Sequence, residues 1–161
     1  RFKRRRNSET DYHRRFRMLR GGVPRAVVRV SNTQVTCQLV KYEKDGDRVI
    51  SSVTGKTLVD KHKWPSEASR KSVPACYLAG YLLGKSALSS GHEEAILDIG
   101  LAASSRGNRI YAALKGMVDA GMDVPHSEDI LPSDERISGE HIGDQIQKAV
   151  ASTKKSIEGG K

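Results

Sequence analysis

The sequence predicts a mixed α/β chain, an α+β arrangement with a β-β-β-α-β-α core, a basic arm before it and a helix after it. Three observations predict this. Residues 25–53 alternate apolar and polar side chains at strand period, interrupted by Ser31-Asn32 and Asp45-Gly46. Residues 72–89 and 109–120 carry apolar side chains at helical spacing, with a short apolar run at 95–99 between them. The first twenty residues hold nine basic and two acidic side chains, so seven of the nine net positive charges of this 161-residue chain lie in one arm.

The arm, residues 1–22, opens with an outer run of Arg1, Lys3, Arg4, Arg5, Arg6 and Asn7, in which Phe2 is the one apolar side chain. Guanidinium groups grip phosphate bidentately, so such density suits an RNA backbone; a solubilising or targeting tail is the plainer alternative. A short helix follows. Thr10 is placed to cap it, Asp11 to complement its positive end, and Tyr12, Phe16 and Leu19 to form one apolar stripe. Arg14, Arg15, Arg17 and Arg20 fill much of the remaining circumference, either as phosphate contacts or as the solvated face of an ordinary amphipathic helix.

Gly21, Gly22 and Pro24 lead into the globular part, residues 23–122. Over residues 25–30, Ala26, Val28 and Val30 are expected in the core, and Arg25, Val27 and Arg29 on the opposite face. Ser31 and Asn32 turn the chain into a second strand, 34–42, with Val35, Cys37 and Leu39 sharing a face. Asp45-Gly46 returns it as a third strand near 48–53. The outward Arg25, Arg29, Gln34, Thr36 and Gln38 read either as a polar platform for RNA or as the solvent side of a half-buried sheet. Residues 54–71 read as a flexible polar loop, in which Trp64 either stacks on a base or covers a core edge.

The helix at 72–89 admits Pro74 in its first turn, buries Ala75, Leu78, Ala79, Leu82 and Leu83, and stops at Gly91. Residues 95–99 read as a buried central strand. The helix at 109–120 turns Ile110, Ala113, Leu114, Met117 and Val118 inward, with Gly121 as its C-cap. The third segment, 123–161, packs on the same domain. It holds a loop with Pro125 and Pro132, a helix at 139–155 with Ile142, Ile146, Ala149 and Val150 on one face, and a fraying tail.

Ribonuclease H-like folds begin with this element order, which raises the question of nuclease chemistry. Such enzymes hold two cations over the scissile phosphate with carboxylates converging from strand ends, the first of them in the first strand. Residues 25–31 contain no acid, and Asp98, just before a strand-ending glycine, reads as a cap or turn group. Cys37 and Cys76 read as isolated, reduced core thiols, and the five histidines show no ligand spacing, so no catalytic residue, metal or cofactor is expected. Residues 104–108 either hold a phosphate on the amides of the following helix or form a plain loop capped by Asn108. No apolar run approaches the ~20 residues of a bilayer span, and the arginine-rich start is no secretory signal. A soluble, intracellular, non-enzymatic RNA-binding domain is expected, with no membrane association.

Five ordered motifs then carry a resemblance: Thr10-Asp11-Tyr12 followed by Arg14-Arg15; Arg25-Ala26-Val27-Val28-Arg29-Val30-Ser31-Asn32; Pro74-Ala75-Cys76-Tyr77-Leu78-Ala79-Gly80; Ala95-Ile96-Leu97-Asp98-Ile99-Gly100-Leu101; and Ala113-Leu114-Lys115-Gly116-Met117-Val118-Asp119-Ala120-Gly121 with Pro125-His126. Together they resemble the L-eighteen family of large-subunit ribosomal proteins in its archaeal form, related to the eukaryotic L-five protein. The resemblance implies a cytoplasmic, ribosomal protein without catalytic activity that binds 5S rRNA and helps hold it in the central protuberance. Large-subunit rRNA and neighbouring ribosomal proteins would be its other partners, with no homo-oligomer. It assigns RNA contacts to Arg4, Arg5, Arg6, Tyr12, Arg14, Arg15, Arg25, Arg29, Ser31 and Asn32; the charge reading adds Arg1, Lys3, Asn7, Arg17 and Arg20. Relatives often place a basic residue and a histidine after the Ser-Asn turn, where this chain has Thr33 and Gln34, which shifts the expected binding toward the arm. The alternative is a general basic RNA-binding or interaction domain outside the ribosome.

Overall fold

The computed structural model describes residues 3–159. Two short helices form the arm, α1 (Lys3–Arg6) and α2 (Tyr12–Arg20). The meander β1 (Arg25–Val30), β2 (Val35–Glu43) and β3 (Gly46–Thr54) follows, then α3 (Gly55–His62), α4 (Val73–Ser89), β4 (Ile96–Asp98) and α5 (Arg109–Asp119). A 3₁₀ turn (Glu128–Ile130), α6 (Asp134–Ser138) and α7 (Asp144–Gly159) complete it. The mixed α+β class expected from the sequence is the class observed. The sheet runs β3-β2-β1-β4, antiparallel except for the parallel β1/β4 pair. Among the described residues β4 is therefore an edge strand and not a central one. Just before it, residues 93–95 pair with Asp123, Ala95 N–H donating to the Asp123 carbonyl at 3.0 Å and Asp123 N–H to the Glu93 carbonyl at 2.8 Å.

One face of the sheet makes the core. Ala26, Val28, Val35, Cys37 and Leu39 are wholly buried; β1 packs against α5, and β2 and β3 pack against α4, which is covered almost all round by the sheet, α5 and the C-terminal helices. Each large aliphatic or aromatic side chain hidden here, such as Leu78, Leu83 and Leu114, contributes on the order of 1.5–3 kcal/mol. α4 and α5 touch backbone to backbone. A Cβ at Gly80 would run into the Ala113 carbonyl, and one at Gly116 into the Tyr77 carbonyl. Residue size at two positions thus sets the distance between the two central helices.

The remaining differences from the sequence reading have local causes. Residues 55–62 form α3 where a loop was expected: Thr54 and Thr57 make a reciprocal capping box, and buried Leu58 anchors the turn. Trp64 is 2% exposed inside the core, so it cannot stack on a base from this position. Leu82 is only half-buried, because α4 meets its neighbours around nearly its whole circumference and leaves that side least covered. Gly139 ends α6 in the left-handed region and does not begin the last helix. α7 starts at Asp144, leaves Ile142 exposed, and buries Ala149, Val150, Thr153 and Ile157, so order continues through residue 159 where fraying was expected. Residues 160 and 161 of that tail lie outside the described residues.

Candidate nucleic-acid interface

Beneath the arm, the strand pattern breaks in a way that builds a site. A register shift between Leu39 and Val40 pairs Leu39 with Ser51 but Val40 with Val49. Ser51 faces the core, where its hydroxyl meets that of Ser86 at 2.8 Å. The inserted residue reverses the alternation beyond it, so Val49 and Asp47 swing to the outer face with Val40, whose partner in β1 is Arg25. Asp47 thereby reaches Arg25.

Arg25 lies on the outer face as expected but is only 3% exposed there, which corrects its expected place on an open polar platform. Its Nη2 donates to Asp47 Oδ2 at 2.7 Å and its Nη1 to Asp98 Oδ2 at 2.8 Å. Arg29, on the same face, donates through Nη2 to Asp98 Oδ1 at 2.8 Å and through Nη1 to the carbonyls of Asp98 at 2.5 Å and Val28 at 2.8 Å. Asp98 also accepts from the Gly100 N–H at 2.9 Å, which agrees with its reading as a turn group and adds an ion-pair role. Burial by itself would raise the Asp98 carboxyl. Hydrogen bonds and charge from Arg29, the Gly100 amide and Arg25 outweigh that and hold it below the usual carboxylate range. Asp47 is lowered by the same contest, burial against its bonds from Arg15 and Arg25.

The arm is seated on this face by two contacts. Arg15 Nη2 donates to Asp47 Oδ2 at 2.7 Å, and Arg14 Nη1 to the Gly100 carbonyl at 3.0 Å. Asp11, not Thr10, is the N-cap of α2, accepting from the Arg14 N–H at 3.0 Å, and that bond lowers its carboxyl. Tyr12, Met18 and Leu19 are half-buried, whereas Phe16 is 65% exposed, because the helix turns its Arg15 and Met18 side to the sheet and the expected stripe is split. Between arm and sheet lies a cleft of about 940 Å³, with Arg4, Arg14, Arg15 and Arg29 among its basic lining and Met18, Val27 and Val49 among its apolar lining.

Of the other expected contact residues, Lys3, Arg4, Arg5, Arg6, Arg17 and Arg20 are exposed, and Asn7 donates to Glu9 at 3.0 Å. Arg1 lies outside the described residues. Ser31 and Asn32 occupy an exposed turn in which the Ser31 hydroxyl accepts from the Gln34 N–H at 3.1 Å. The first amides of α5 are occupied: Asn108 Oδ1 accepts from Ile110 and Tyr111 at 2.9 and 3.0 Å, so the plain capped loop is the observed form of residues 104–108. Sequence reasoning missed Asp47 and Gly100. Nothing local in the sequence marks either, since the contacts that bring them to Arg25, Arg29 and the arm are distant along the chain.

Among the described residues no group of three or more His, Cys, Asp or Glu side chains could hold a metal, and no helix is long and apolar enough to cross a membrane. An arginine-rich arm seated over a sheet whose own arginines are paired with Asp47 and Asp98 defines a small mixed α/β protein with a basic arm. Residues 1–94 and 89–127 match the family described as ribosomal large subunit proteins 60S L5 and 50S L18. Among curated proteins, the chain is 50% identical over 143 residues to the large ribosomal subunit protein uL18 of Methanothrix thermoacetophila, covering 89% of this chain and 83% of that one. It is 47% identical over 146 residues to uL18 of Methanococcoides burtonii, covering 91% and 83%. For uL18 of Aeropyrum pernix the figures are 46% over 140 residues, covering 87% and 64%. This chain belongs to the 60S L5 and 50S L18 family of large-subunit ribosomal proteins, in its archaeal form. It is a non-enzymatic, structural component of the large subunit, at work on the cytoplasmic ribosome.

Proposed function

We propose that the chain binds 5S rRNA and helps anchor it in the central protuberance, beside large-subunit rRNA and neighbouring ribosomal proteins, as a single copy. The observation that carries this reading is how unevenly its arginines are neutralised. Arg25 and Arg29 share Asp98, and Arg25 and Arg15 share Asp47, whereas Lys3, Arg4, Arg5, Arg6, Arg17 and Arg20 extend from the arm into solvent. Exposed guanidinium groups on a short, narrow element suit the phosphate rails of a folded RNA, and the cleft behind them supplies shape.

The test is competition between 5S rRNA and an unrelated folded RNA of equal length at moderate salt. Preferential binding of 5S rRNA is expected. Equal binding of the two would overturn the assignment and leave a general RNA binder on the subunit.

A further inference from the structure

We infer that Arg29 is a stacking platform for one unpaired RNA base in the cleft between arm and sheet. The inference rests on the reading that this face binds RNA. A guanidinium recognises phosphate through the N–H groups at its edge and recognises bases through its flat face, so the two roles are distinguished by which of these is free. At Arg29 three of the five N–H groups are already bonded, Nη2 to Asp98 Oδ1 and Nη1 to the Asp98 and Val28 carbonyls, which fixes the plane and reduces what its edge can offer a phosphate. One flat face is covered as well. A Cβ built on Gly100 would stand 2.8 Å from Cζ, 2.9 Å from Nη2 and 3.1 Å from Nε. An atom nearer the central carbon than either nitrogen lies above the plane, not beside it, so the Gly100 backbone lies against one side of the guanidinium. The side chain is nevertheless 46% exposed and lines the cleft.

Two further features fit a base. Arg29 shares the cleft with Val27 and Met18, apolar side chains suited to a ring and of no use to a phosphate. Arg14, bonded to the Gly100 carbonyl, fixes the loop that supports the platform from behind. Gly100 is required for this geometry. Its φ of +62° and the space above it both exclude a side chain.

The experiment compares wild type with Arg29→Lys and Gly100→Ala on an archaeal 5S rRNA transcript and on single-stranded oligoadenylate. Affinity is read as a function of salt, and chemical probing reports each unpaired base. Arg29→Lys keeps the charge and removes the plane; Gly100→Ala keeps both and displaces the plane. Both should weaken binding about tenfold, the scale of one stacked base, at an unchanged salt slope. The same single base should lose protection in each. Thermal unfolding identifies a variant that fails to fold, in which case the other decides. Wild-type affinity for Arg29→Lys, or an Arg29→Ala variant whose slope falls by about one phosphate with no base-specific change, would overturn the inference. If wild type shows no preference for 5S rRNA yet Arg29→Lys still weakens oligoadenylate binding, the 5S assignment fails and the platform stands.

Discussion

Deleting residues 1–7 should change the salt dependence of RNA binding while sparing the fold. The deletion removes Arg1 and the whole of α1, which carries Lys3, Arg4, Arg5 and Arg6, all exposed and with no buried residue among them. If the four described basic side chains each neutralise one phosphate, log affinity against log salt becomes shallower by about 3 to 4 units on duplex, and somewhat less on single strand. The assay is a fluorescence-anisotropy titration of labelled 5S rRNA at several potassium chloride concentrations, with circular dichroism to follow unfolding. Arg25→Met provides the contrast. Arg25 sits between Asp47 and Asp98, so removing it takes a buried partner from each and leaves Asp47 to Arg15 and Asp98 to Arg29, which should cost ~3 kcal/mol, roughly 10 °C in melting temperature, with little change in slope. A truncated protein with the full slope would show that α1 does not meet phosphate. An Arg25 variant that flattened the slope without loss of stability would refute the division between the arm's free charge and the body's neutralised charge.

Three further outcomes are expected. Because Asp98 and Asp47 titrate below the ordinary carboxylate range when folded, their stabilisation is present above the unfolded value of about pH 3.9 and is lost as pH falls through the folded values. Melting temperature should hold above about pH 5 and drop below about pH 4, less steeply in Asp98→Asn; equal losses in the two proteins would remove Asp98 from the account. Gly116→Ala should push α4 from α5 and lower stability by roughly 1–3 kcal/mol or more, with unchanged stability in denaturant melts counting against the close backbone contact. Trp64 is buried, so its emission should not change on RNA binding and should shift to the red only on unfolding; quenching by RNA in the folded protein would place it at the interface.

What could be read in advance follows from how local each signal is. The meander was legible because Asp45-Gly46 and the alternation of Val35, Cys37 and Leu39 act over a few residues, and α4 and α5 were legible from their apolar spacing. α3 was not, since its polar composition hides the Thr54–Thr57 cap and leaves Leu58 as its one large buried side chain. The site was half legible. Exposed arginines at the N-terminus can be counted, but the partners of Arg25 lie 22 and 73 residues away. Strict alternation would also have put Asp47 on the wrong side of the sheet, because one inserted residue in β3 reverses the count. The boundary of α7 was missed for a similar reason: Gly139 could start a helix or end one, and only the packing of α6 beside α4 decides.

Asp47 has two guanidinium partners of unequal depth, Arg15 with 30% of its side chain exposed and Arg25 with 4%. When α2 lifts away, the carboxylate keeps its inner partner, so no bare anion is left against the sheet and the cost of parting is that of a surface ion pair, about 1 kcal/mol or less. A phosphate group can therefore take Arg15 by simple exchange of one anion for another. The seat of α2 is thus a contact whose loss would leave the deeper ion pair, Arg25 with Asp47, in place.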